Sequence, residues 1–321
     1  MDLTSLVVMS LVIAVIVMAN LGERWRGWRI AAYLSMASLG LAAAALGLLF
    51  LLLVVAQRFS PATAPGPAEL DPGRLGLWLL FGGLLSLVLL LPPVRRGLAG
   101  IIPIRPDSVV NAVALAFLAI LLTQSMSLGG LGPQGFVALT GELTMLQVVL
   151  SELPLALVGI LGVGFPSRRP AAGTWERLGI RGLTWRQAGL TLVGLVGLLA
   201  FEVAFNAVAS RVSPQELEEV SRASTQLYAR LGTPLSAAAV SLASGTAEEI
   251  LFRGALQPRL GLLLTAFAFG IIHSQYGIGF ALLSVGVVGL VLGLYRQRVN
   301  TTACILIHSL YNLTLFLLSG L

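Results

Sequence analysis

Charge is scarce in this chain. Of its 321 residues 11% are charged and 57% are hydrophobic, against about 25% charged in an ordinary soluble domain. That excludes a soluble globular enzyme. Cysteine occurs once, at Cys304 inside an apolar run, which rules out an intrachain disulfide and any multi-cysteine metal site. Histidine occurs twice, at His273 and His308, so the chain can build at most one two-histidine centre. Lysine is absent: all 20 basic residues are arginine, and nothing in the sequence explains that choice. The net charge of +6 reflects arginines in the loops between apolar runs, and no nucleic-acid partner is expected.

What is abundant is apolar sequence. Several runs exceed the ~18 residues that read as a transmembrane helix. The fold class is therefore all-α, a polytopic transmembrane bundle of eight to ten membrane helices. The expected spans are 3–20, 30–57, 75–92, 109–128, 137–163, 188–207, 235–256, 261–277, 278–295 and 300–320. No small-residue cleavage site follows the first run, so a retained helix is expected there. No internal repeat is visible. With these spans, 14 arginines fall in loops on one side, five of them in "SRRPAAGTWERLGIRGLTWRQ" (167–187). Five fall on the other side: Arg58, Arg74, Arg211, Arg222 and Arg230. The positive-inside rule places the arginine-rich loops in the cytoplasm and both termini outside, in the cytoplasmic membrane of a prokaryote. One outside segment, "SPQELEEVSRASTQLYARLGTP", predicts a short amphipathic interfacial helix with Ser213 and Glu216 as its capping box.

A charge at the bilayer centre costs about 2.5–3.5 kcal/mol or more, so such residues usually face an interior site. Here they gather late in the chain: Glu248, Glu249 and Arg253, then His273, then His308 and Asn312. At ~1.5 Å rise per residue, Glu248, His273 and His308 all lie at similar depth, near mid-bilayer. Neighbours on a helix point about 100° apart, so Glu248 and Glu249 cannot both face one small centre. Glu249 and Arg253 are spaced i, i+4 with the acid first, which pairs them and leaves Glu248 for the histidines. Phe269 and His273 share a face, as do His308 and Asn312. These groups suit hydrolysis. Glu248 can take a proton from water. The histidines can hold one divalent metal, Zn²⁺ first among candidates, with Glu248, His273 and His308 as ligands. In the rival scheme they assist the base and steady an oxyanion without metal. Composition and spacing do not decide between the two. Glu142, Glu152, Glu202 and Asn206 lie in earlier spans, where Glu202 and Asn206 are placed to bond each other.

These residues resemble the CPBP family: the CAAX proteases and bacteriocin-processing enzymes, also called ABI intramembrane metalloproteases. The family pattern is E-E-x-x-x-R, then F-x-x-x-H, then H-x-x-x-N/D on separate helices. This chain has "EEILFR" at 248–253, "FGIIH" at 269–273 and "HSLYN" at 308–312. The resemblance covers about 232–316. It implies an eight-helix core with a conical cavity open towards cytosol and lipid. It also implies Glu248 as catalytic base, His273 orienting the water, His308 and Asn312 at the oxyanion, and Glu249, Arg253 and Phe269 supporting. On this reading residues 1–187 are variable N-terminal helices with a basic cytoplasmic loop, and 188–321 are the catalytic membrane region. The partners are a membrane-associated peptide or protein and the lipid bilayer.

Two other readings compete with an intramembrane endopeptidase. One is a non-proteolytic binding, immunity or regulatory protein of the same fold. The other is a proton-coupled transporter, which predicts repeats or broken helices in both halves, whereas the ionisable groups here sit in the last third.

Overall fold

The computed structural model describes residues 3–57 and 71–319. Arg58 and the last residue of the chain, both used in the topology reading, lie outside the described residues. The described residues are helical throughout, without a strand. In order they form α1 (Leu3–Gly22), α2 (Arg26–Gln57), α3 (Pro72–Leu89), α4 (Pro92–Leu98), α5 (Val109–Gly129), α6 (Gly132–Thr140), α7 (Met145–Gly162), α8 (Ala171–Leu178), α9 (Trp185–Val212) and α10 (Pro214–Leu227). Then come α11 (Pro234–Glu249), a π-helical segment (Ile250–Leu256), α12 (Gln257–Leu260), α13 (Leu262–Ile272), a 3₁₀ turn (Ser274–Tyr276), α14 (Phe280–Arg298) and α15 (Thr301–Leu318).

Among the described residues seven helices, α2, α3, α5, α7, α9, α14 and α15, are long and apolar enough to cross a membrane. α1, the rod running from α11 through the π-helical segment into α12, and α13 occupy the other three expected spans. The chain is thus a polytopic helical bundle. Helix starts follow local chemistry. Thr144 and Thr184 each close a capping box with Gln147 and Gln187, and Asn300 Oδ1 accepts from the Ala303 amide at 3.0 Å. Such caps satisfy amides that would otherwise be stranded at a helix start.

Two expected spans differ. The run 137–163 is not one helix. Gly141 adopts φ 70° and ends α6, and α7 restarts at Met145. Glu142 therefore sits in a loop and pairs with Arg230 at 2.8 Å, and it is not a membrane-embedded acid. The run 261–277 yields a helix of only 11 residues, α13. At ~1.5 Å per residue that is about 16 Å, roughly half the hydrocarbon thickness. Non-helical backbone at membrane depth is tolerated where it lines a cavity, and the turn after α13 does so.

The first helices pack by close backbone approach. α2 buries Ala32, Met36, Gly40, Ala44 and Gly47 and leaves Leu34, Leu41, Leu48 and Leu52 exposed. The small stripe meets Gly76 and Gly83 of α3. A Cβ on Gly47 would lie 2.4 Å from the Leu80 nitrogen, and one on Gly83 would lie 2.5 Å from the Gly40 oxygen. Without a hydrophobic drive between helices in lipid, association rests on such contact.

Alternating helices put loops on two faces. On the arginine-rich face, Thr301 N donates to Gly179 O at 3.0 Å and Arg259 Nη1 to Gly162 O at 3.3 Å. On the opposite face, Leu143 N donates to Leu227 O at 2.7 Å. α10 lies along that second face, as the sequence predicts, but without the expected capping box, since Ser213 makes no side-chain cap. Glu216 instead reaches across to the start of α14, where Oε1 accepts from the Ala281 amide at 3.2 Å.

Candidate active site

α11 carries Glu248 and Glu249 on its last turn, and the helix widens into the π-helical segment directly after them. Single π turns inside α-helices often mark functional positions. The turn keeps Arg253 on the same side as Glu249. Arg253 Nη1 donates to Glu249 Oε1 at 2.9 Å, with the side chains 1% and 0% exposed. Its Nη2 donates to Gly289 O at 3.0 Å, and its guanidinium carbon lies 4.2 Å from the Phe269 ring centroid. The i, i+4 pair is where the sequence puts it.

The second partner of Glu249 is less expected. His308, on α15, donates from Nδ1 to the same Oε1 at 2.9 Å. A carboxylate only accepts, so Nδ1 carries the proton and Nε2 remains for other work. The sequence assigns both histidines to Glu248, but only His273 faces it. His273 Nε2 and Glu248 Oε2 are 3.6 Å apart. His273 closes α13, and its Nδ1 donates to Phe269 O at 2.8 Å, one of the carbonyls a helix end leaves free. A carbonyl also only accepts, so the neutral ring turns a lone pair from Nε2 towards Glu248. Glu248 Oε2 is itself buried without a hydrogen-bond partner. Two acceptors face each other across 3.6 Å and make no direct hydrogen bond.

All of this opens on a cavity of about 500 Å³. Glu248, Phe269, His273, His308 and Asn312 line it, and Asn312 Nδ2 donates to Ser244 Oγ at 3.3 Å. The residues assembled from α11, α13 and α15 are those the sequence singles out. Others were less legible. Glu152 on α7 lines the cavity, and its Oε2 is buried without a partner. Glu202 on α9 lines it too. It accepts from Asn206 at 2.9 Å, as expected, but also from Tyr311 Oη at 2.7 Å and Ser284 Oγ at 3.3 Å. The one signal was an ionisable residue in an apolar span, which does not say which way it points. α10 adds Leu217 and Val220 to the wall and Tyr228 follows directly after it, so this amphipathic helix covers the cavity.

The wall is drawn from the first half of α7 and α14, the second half of α9 and α13, α10, the α11 residues Val240, Ser244 and Glu248, and α15 from His308 onward.

For a metal the fit is incomplete. Among the described residues no three His, Cys, Asp or Glu side chains form a set that could hold an ion. Glu248 and His273 approach each other, while His308 is engaged by the neighbouring Glu249.

Residues 230–314 match the family described as Type II CAAX prenyl endopeptidase Rce1-like, and the three motifs all fall inside that segment. No curated protein and no solved structure matches the chain.

Proposed function

We propose, from the match of residues 230–314 to the Type II CAAX prenyl endopeptidase Rce1-like family, that this chain is an intramembrane endopeptidase acting on a membrane-associated peptide or protein. The observation that carries this reading is the facing pair Glu248 and His273, each with an unmet acceptor, inside a cavity at membrane depth. A water seated beside both, on the cavity side, donates one hydrogen bond to Glu248 and one to His273 Nε2. Glu248 takes its proton as the oxygen attacks the scissile carbonyl. His273 is held in the required tautomer by Phe269 O, so it orients the water rather than competing for the base. The developing oxyanion faces His308 and Asn312. His308 is anchored through Nδ1 to Glu249, and when doubly protonated it donates from Nε2. Collapse of the tetrahedral intermediate breaks the C–N bond, and Glu248 returns its proton to the leaving amine. This route uses no metal; among the described residues no three His, Cys, Asp or Glu side chains form a set that could hold one.

The test is a comparison of membrane peptides from cells carrying the wild-type protein, Glu248→Gln and His273→Ala at equal folded levels. Uncleaved species should accumulate in both variants. Removing the base and the water's second acceptor should each cost roughly 10²–10⁴-fold in turnover. Identical peptide profiles in all three would leave a non-proteolytic binding protein. Stoichiometric metal in the purified wild-type protein, lost in His273→Ala/His308→Ala together with activity, would overturn the metal-free route.

A further inference from the structure

The arginine-rich face holds a second concavity, away from the cavity that contains Glu248. α8 folds onto the π-helical segment because Gly254 leaves room for it: a Cβ there would lie 2.9 Å from Leu178 Cδ2, and Leu178 is fully buried. Beside this contact lies a shallow basin of about 550 Å³ whose wall carries Arg169, Arg177, Arg181 and Arg296. Glu176 is the one carboxylate on the wall, and it pairs with Arg181 at 3.6 Å, both side chains exposed. Among the described residues Arg169, Arg177 and Arg296 have no carboxylate within ion-pair distance.

These three guanidiniums are held by backbone. Arg177 Nη1 donates to Gly254 O at 3.0 Å, Arg296 Nε to Arg253 O at 3.1 Å, and Arg169 Nη1 to Val163 O. Gly179, at φ 74°, leaves space for the Arg296 guanidinium, since a Cβ there would come within 2.6 Å of its Cζ. A guanidinium has five N–H donors, and each of these bonds uses one. Arg177 feels the crowding. Burial first, then the charges of Arg169, Arg296 and Arg168, pushes it down to about 10. It remains charged at neutral pH, in a place where positive charge is uncompensated.

We propose that this basin binds a phosphate-bearing anion through the forked guanidiniums of Arg169, Arg177, Arg181 and Arg296. Guanidinium matches phosphate oxygens bidentately. Basic pockets at the ends of membrane helices sit at the level of lipid headgroups. Lipid headgroup and free phosphate share this chemistry, and the assay separates them. The inference does not depend on proteolysis.

The full-length protein in neutral detergent would be titrated with inorganic phosphate against chloride at matched ionic strength. In a parallel titration, phosphatidylglycerol would be compared with phosphatidylcholine in mixed micelles, with thermal unfolding as the readout. Saturable stabilisation by one of the two phosphate probes, absent with its control, is expected and identifies the source. Arg169→Gln/Arg181→Gln leaves the Arg177 and Arg296 backbone bonds in place but removes the Arg169 bond to Val163 O, so each ligand shift is read against the variant's own ligand-free unfolding temperature. At the usual strength of such contacts its affinity should fall by about 30-fold. Equal shifts in this variant and the wild type, or no saturable shift with either probe, would overturn the site.

Discussion

Removing Glu249 should cost more stability than removing any other single side chain at the site. Its Oε1 accepts from Arg253 and from His308, both at 2.9 Å, and the residue is fully buried. In Glu249→Leu the Arg253 guanidinium keeps Gly289 O and the Phe252 and Phe269 rings as partners, none of them a counter-charge. Stranding one member of a buried ion pair costs about 3–5 kcal/mol, and the orphaned His308 Nδ1–H adds about 1–3 kcal/mol. Together these approach the ~5–15 kcal/mol that holds a typical domain folded. The double variant Glu249→Leu/Arg253→Met removes the stranded charge, since a buried pair can often be replaced by apolar side chains at little net cost. It should recover at least ~2 kcal/mol of the loss. It should nevertheless stay inactive, because His308 has lost the bond that fixes its ring. The assay is equilibrium unfolding in mixed micelles for the wild type, both single variants and the double, read as a double-mutant cycle. A Glu249→Leu protein within ~1 kcal/mol of wild type, or a double variant no more stable than Glu249→Leu, would refute the reasoning.

Topology gives a further test. Reporter fusions after Arg177 and after Ser319 should report cytoplasmic and extracytoplasmic positions, following the arginine bias. A cytoplasmic position after Ser319 would refute the span count. At the α2–α3 contact, Gly83→Val places carbon within 2.5–2.6 Å of Gly40 O and Ala44 N. It should destabilise by about 1–3 kcal/mol or more, the usual cost of overpacking. Gly97→Ala, with nothing within 4 Å, should leave the unfolding temperature unchanged.

Much of this molecule is determined by local pattern. Apolar runs of membrane length dictate the helical bundle, because lipid leaves backbone amides no other partner. The Glu249–Arg253 pair follows from i, i+4 spacing, and the separate duties of Glu248 and Glu249 from the 100° between helical neighbours. Ionisable residues in apolar spans marked Glu248, His273 and His308, because the bilayer tolerates such groups only at interior sites. What the sequence could not decide is where side chains from different helices meet. Nothing local says that His308 would turn to Glu249 rather than Glu248, that Glu152 and Glu202 would enter the same cavity, or that Glu216 would cap α14 instead of its own helix. Each depends on the relative rotation of two helices about their axes, which a one-dimensional pattern does not contain. The π-helical segment and the early end of α13 were hidden for a related reason. Both are exceptions to regular helix geometry, held by partners distant in the chain: Arg177 and Arg296 on the carbonyls of Gly254 and Arg253, and Ser125 O, which accepts from the Ser274 hydroxyl just after α13. Only packing brings those partners close enough for a regular helix to give way.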